Sequence, residues 1–195
     1  MQALNIALFD WIAAGHSPHP LILAFAASVA EGSSWLCVAL LAWVAWRQPS
    51  QRAYLMATLV AAAVAALASR GLANWLAVPR PFMIGLSPPH IEHGPRGSLP
   101  SAHASVMFAT ALVLCLRPAL RKFGYAVFAI AVITGWARIY VGVHFPLDIV
   151  AGLVLGAIVA GVFRMLQALV HRYVLPMIAR DDLRNARADA PLPPP

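Results

Sequence analysis

Charge is what this sequence has least of. Charged residues fill 11% of its 195 positions, where a soluble domain carries about 25%. Acidic residues number only seven, and lysine occurs once, at Lys122. Most of the chain therefore lacks the polar surface that a water-soluble fold needs. Cysteine is also scarce. Cys37 and Cys115 both lie inside apolar runs and read as small hydrophobes rather than as a disulfide. The opening stretch MQALNIALFDWIAAGH lacks the basic n-region of a cleavable signal peptide.

What is present is apolar surface. Hydrophobic residues make up 61% of the chain, and several windows near twenty residues hold few or no charges. Such windows are long enough to cross about 30 Å of hydrocarbon as helices. The expected fold is an all-α integral membrane protein, a bundle of about five or six transmembrane helices with an amphipathic N-terminal helix. That first helix, within residues 1–17, is expected to lie at the membrane surface. Spans are expected at 20–46, 53–75, 101–116, 125–140 and 146–170. The polar run AEGSSW in the first span leaves open whether it is one helix or two. Residues 1–172 then form one membrane domain. Residues 173–195 are charged and then proline-rich, and read as a disordered cytoplasmic tail. The run GLVLG, Gly152 to Gly156, is a small-xxx-small pattern that lets a neighbouring helix pack closely.

The formal net charge is +7, and thirteen of the fourteen basic residues are arginine. In a membrane protein this excess reads as positive-inside bias, not as a nucleic-acid surface. Alternating spans collect Arg47, Arg52, Arg117, Arg121, Lys122, Arg164, Arg172, Arg180, Arg184 and Arg187 on one face, and Arg70, Arg80, Arg96 and Arg138 on the other. The richer face is expected to be cytoplasmic, with the C-terminus. The loop from Val78 to Leu99 is then outside.

The stretches with chemical capacity fall on that outer face: PRPF at 79–82, SLPSAH at 98–103 and RIYVGVHFPLD at 138–148. Ionisable residues at membrane depth are costly and are candidates for function. His144 and Asp148 are four apart at a helix start, so both can lie on one face. The carboxylate can hold one ring nitrogen and leave the other for nucleophilic or basic work. Arg138 and Arg80 bring planar donor forks suited to phosphate. Ser101 opens a span whose N-terminal amides attract an anion, and His103 in the same turn is placed to donate a proton. Together these groups point to a phosphoryl group. His90, Glu92 and His93 imitate a metal site, but no further strong ligand stands nearby in the sequence. Glu31 and Arg70 carry charge inside spans and are expected to lie near each other and to line the pocket.

These stretches resemble the motifs of the type 2 phosphatidic acid phosphatase superfamily: K-x6-R-P, then P-S-G-H, then S-R-x5-H-x3-D. Arg80-Pro81 matches the end of the first. Pro100-Ser101-Ala102-His103 matches the second, with alanine for glycine, and Arg138, His144 and Asp148 match the third, with Ala137 for its serine. The lysine of the first motif falls on Ala73, so its phosphate contact is absent or comes from elsewhere, Arg70 and His93 being the candidates. The run from Pro79 to His103 is most similar to bacitracin-resistance-type undecaprenyl diphosphate phosphatases. The resemblance implies a membrane-bound, metal-independent hydrolase with no cofactor, acting on undecaprenyl diphosphate, with its site facing the periplasm of a bacterial inner membrane. It implies His144 as nucleophile, Asp148 as its orienting partner and His103 as proton donor and then base. Arg80, Ser101, Arg138 and the amides near Ala102 would hold the phosphoryl oxygens. Other lipid phosphates (phosphatidylglycerophosphate, phosphatidate, lipid A 1-phosphate), transfer to a lipid acceptor, and a small transporter with a proton path are the rival readings. Protein partners stay open.

Overall fold

The computed structural model describes residues 2–174 and residue 176. The chain divides into two compact units, Met1–Ala160 and Gly161–Pro195. Six α-helices account for most of the described residues: α1 (Gln2–Ile12), α2 (Pro20–Arg47), α3 (Arg52–Leu76), α4 (Ala102–Cys115), α5 (Arg121–Tyr140) and α6 (Pro146–Leu169). Helices α2, α3, α5 and α6 are long and apolar enough to cross a membrane. The chain is thus a multi-pass, all-helical membrane protein, as its composition requires. In the second unit, the described residues continue α6 and end in a π-helical turn, Val170–Val174. The tail expected over 173–195 otherwise lies outside the described residues.

Helix α2 runs unbroken through AEGSSW for 28 residues, so that polar run does not divide it into two helices. A single glycine is tolerated in a helix at a cost of about 1 kcal/mol. Gly32 faces open space, so no packing constraint forces a break there. Prolines begin α2 and α6, where the missing N–H has no helical partner to lose. Helix α3 ends at Ala77, which takes the left-handed conformation and returns its N–H to Ala73; Pro79 follows and bars continuation.

Helix α4 departs from a simple span. Its 14 residues reach about 21 Å, short of the hydrocarbon thickness. Nine of them are buried, on every face. It packs chiefly on α3 and α5, so it is a protein-lined core helix and has no need to match the lipid. The glycines of α6 explain its close fit to that helix. A Cβ on Gly152 would stand 2.6 Å from the Ala104 Cβ, and one on Gly156 2.7 Å from the Ala109 amide nitrogen. The close-packing reading of GLVLG therefore has a specific partner.

Helix α1 is shorter than the expected 1–17: it ends at Ile12, and the chain turns beyond it at Gly15, φ 61°. It docks on the segment that joins α5 to α6. Phe9, 1% exposed, packs on Phe145 at a ring separation of 5.3 Å, and Asn5 Oδ1 accepts from the Leu147 amide at 3.0 Å. Trp11 stays exposed. At the far end of the first unit, Arg117 donates to Gln51 at 3.0 Å. The two arginine-rich turns after α2 and α4 are thereby tied to each other. The PRPF, SLPSAH and RIYVGVHFPLD stretches meet at the end where α1 docks.

Candidate active site

The α5–α6 connection is built tightly. Gly142 reverses the chain at φ 81°, a conformation that costs glycine little. A Cβ there would also lie 2.7 Å from the Pro88 carbonyl oxygen. Helix α6 starts at Pro146, which sets Asp148 in its first turn, where a carboxylate is favoured by the helix dipole. Asp148 Oδ2 accepts three bonds: from the Phe145 amide at 2.7 Å, from the Ser98 hydroxyl, and from His144 Nδ1 at 3.2 Å. An ionised carboxylate only accepts, so Nδ1 carries the ring proton. The lone pair is then on Nε2, and Arg80 Nη1 donates to it at 3.1 Å.

His144 is 2% exposed. Burial pushes its pKa down to about 4, opposed by its bond to Asp148 and aided by the charges of Arg138 and Arg80. The imidazole is neutral at physiological pH and its Nε2 is a base or nucleophile. His93 stands across from it, with ring centroids 6.1 Å apart. Burial first, then the Arg80 and Arg138 charges, push His93 down to about 3, so it too is neutral.

The two arginines play different parts. Arg80 donates through Nε to the Arg96 carbonyl at 2.9 Å, through Nη1 to Val143 at 2.8 Å and through Nη2 to Gly97 at 3.1 Å. With the Nη1 bond to His144, four of its five N–H groups are placed. It straps the loop before α4 to the loop that carries His144. Arg138 donates once, from Nη1 to the Ala30 carbonyl of α2 at 3.1 Å. Among the described residues its Nε is buried with no partner, as is the Ser101 hydroxyl. The Ser101 amide bonds to the Asp148 carbonyl and the Ser105 amide to that of Ser101. The amides of Ala102, His103 and Ala104 are the first of α4 and have no helical acceptor. A buried donor without an acceptor is costly. Several converging on one place fit an anion with several oxygens.

Arg80, Ala102, His103, Arg138 and His144 line one cavity of about 220 Å³. Arg70 and His93 line it as well. Ser101 and Asp148 are buried just behind the wall. Glu31 is a correction. It is exposed on α2, lies outside the lining, and forms no ion pair with Arg70 among the described residues. Helices α2 and α3 pack mainly on other partners, α5 and α4 respectively, so no close helix contact draws the two charges together. Ala73 lines the cavity too, and its carbonyl is covered so closely by Gly97 that a Cβ there would lie 1.9 Å from the oxygen.

Sequence reading missed Ser98, whose fully buried hydroxyl holds Asp148, and the lining residues Arg96 and Asn74. Ser98 opens SLPSAH, but no spacing rule ties a serine to a carboxylate fifty positions away. Among the described residues, no group of three or more histidine, cysteine or acidic side chains is placed to hold a metal ion. His90 is turned aside, with Nε2 against the Gly15 carbonyl at 2.9 Å.

Comparison with known proteins identifies the family and its relatives. The profile of the PAP2 superfamily matches residues 53–171. The putative undecaprenyl-diphosphatase YbjG of Escherichia coli is 29% identical over 160 residues, covering 81% of this chain and 80% of that protein. The undecaprenyl-diphosphatase BcrC of Bacillus subtilis is 31% identical over 96 residues, 49% of either chain. Among solved structures, Aquifex aeolicus LpxE superposes with a TM-score of 0.66 at 25% identity, over 83% of this chain and 95% of its own. A PAP2-type phosphatidylglycerolphosphate phosphatase from Bacillus subtilis superposes with a TM-score of 0.67 at 20% identity, over 88% of each chain.

Proposed function

The chain belongs to the PAP2 superfamily, a family of membrane lipid phosphatases, and on that premise we propose that it hydrolyses undecaprenyl diphosphate to undecaprenyl phosphate through a phosphohistidine at His144. One observation carries the chemistry. A neutral histidine with its lone pair on Nε2 shares a cavity with Arg138, whose Nε has no acceptor among the described residues. The lipid is supported by the names of the relatives YbjG and BcrC.

In the first step Nε2 attacks the terminal phosphorus in line. The N–P bond forms as the P–O bond to the bridging oxygen breaks. The electron pair leaves with that oxygen, which takes a proton from His103. In the second step His103 accepts a proton from water, the hydroxide oxygen attacks phosphorus, and the N–P electron pair returns to Nε2. Asp148, on Nδ1–H, offsets the positive charge that the ring acquires. Arg138, the Ser101 hydroxyl and the first amides of α4 face the phosphoryl oxygens and stabilise the charge spread over them. Arg80 holds both loops in register and adds one direct donor. Such a cradle of protein donors serves the role that a metal plays in other phosphatases, and no cofactor enters the scheme.

The arginine distribution supports an inner-membrane protein with residues 1–172 in the membrane, a periplasmic site and a cytoplasmic C-terminus. Phosphate release by purified protein in detergent, with chelator present and phosphatidate in parallel, tests the function. Fast release from undecaprenyl diphosphate is the expected result. Preference for phosphatidate, or release only with an added lipid acceptor, would replace this substrate.

The pH profile follows from His144. Protonation of Nε2 removes the lone pair, so activity is lost as pH falls through about 4 and is retained at this group above that value. After allowance for ionisation of the substrate, the acidic limb of kcat/KM is expected near that value. A midpoint at the ordinary histidine pKa of about 6.5 would contradict a buried, neutral nucleophile.

A further inference from the structure

Arg70 is a charge in the cavity wall that the scheme above leaves unused. It sits on α3 six residues before Leu76, about 9 Å from the helix end. It is exposed and has no hydrogen bond or ion pair among the described residues. A cation at this depth without a partner is expensive. Its position is specific. Beside the cavity of about 220 Å³ lies a second, of about 190 Å³, walled by Ala66, Val106 and Met107. Among the described residues, only Arg70, Ala102 and His103 line both cavities.

That shared wall has a chemical meaning, given the function proposed above, on which this inference rests. An in-line attack by His144 expels the leaving oxygen on the side away from Nε2. His103, which protonates that oxygen, lines the shared wall. A phosphate monoester would leave as an alcohol, with no charge for a guanidinium to meet. A diphosphate leaves as a phosphate monoester, and negative charge grows on it as the bridging P–O bond breaks. The transferred phosphoryl group already has Arg138, the Ser101 hydroxyl and the α4 amides.

The geometry points to Arg70 as the residue that binds the phosphate retained on the lipid, and so as the residue that selects diphosphates over monophosphates. Its planar fork suits two oxygens of that group. Arg70 thus does not replace the missing lysine at position 73, since it serves a different phosphate.

Titration calorimetry on the full-length protein tests this with two probes, methylenediphosphonate as a non-cleavable diphosphate and inorganic phosphate. Arg70→Gln is expected to weaken the diphosphonate by about ten- to a hundredfold and phosphate by a clearly smaller factor. Arg70→Lys, which keeps the charge and loses the fork, is expected to fall between. Arg96→Gln removes the same charge from the first cavity but not from the shared wall, and is expected to leave the selectivity between the probes as it was. The kcat/KM of Arg70→Gln on undecaprenyl diphosphate is expected to drop with the diphosphonate affinity. Equal weakening of both probes by Arg70→Gln, no weakening, or the same selectivity loss in Arg96→Gln would each overturn the assignment. Wild-type turnover separates the two readings. A protein that hydrolyses undecaprenyl diphosphate but shows no selective loss in Arg70→Gln overturns this inference alone, whereas one inactive on that lipid overturns the function and this inference with it.

Discussion

Alanine in place of His144 is expected to bring phosphate release from undecaprenyl diphosphate down by about 10,000-fold or more, the loss seen when a nucleophile is removed. The cavity offers no substitute. His93 is neutral and 6.1 Å away ring to ring, and among the described residues no carboxylate bonds to it to hold a tautomer. The fold should survive the change. Asp148 keeps its bonds to the Ser98 hydroxyl and the Phe145 amide, so it is not stranded, and the lost bond costs about 1 kcal/mol. A folded, inactive protein is therefore the expected result. The measurement is twofold: turnover, and transfer of label from a terminally labelled diphosphate to protein quenched in alkali. Wild-type protein should retain acid-labile label and the variant none. Activity within tenfold of wild type would mean that water attacks phosphorus directly and His144 is a bystander.

Lysine in place of Arg138 should lower kcat by about 100- to 1,000-fold, the usual cost of removing a preorganised donor to transition-state charge. Arg138 is 3% exposed, and one N–H is committed to Ala30. Its remaining donors form a rigid plane beside His144. Lysine keeps a positive charge but presents it as a point on a flexible stem, so substrate is still attracted while the equatorial oxygens lose their fixed partners. The loss should fall on kcat more than on KM. A change confined to KM would show that Arg138 binds substrate and transition state alike. Arg80 contrasts with it. Because four of its N–H groups hold protein acceptors, its replacement would first loosen the loops around His144.

The sequence by itself determined the class of protein and the core of the candidate site. Runs of about twenty apolar residues admit few folds other than membrane helices. The spacing of four between His144 and Asp148 is a property of one helical turn, so their contact was legible without tertiary information. Proline and glycine marked the helix ends for the same local reason. What needed the tertiary structure were relations between distant segments. Helix α4 reads like its neighbours by composition, and only its enclosure by protein explains how 14 residues suffice. Ser98 reaches Asp148, and Arg80 reaches Val143 and Gly97, across separations that no periodicity encodes. Glu31 and Arg70 looked alike as charges within spans. Helix packing left one on the outside of α2 and set the other where two cavities meet. Local geometry is written along the chain, whereas the partner of a side chain depends on which helices close around it.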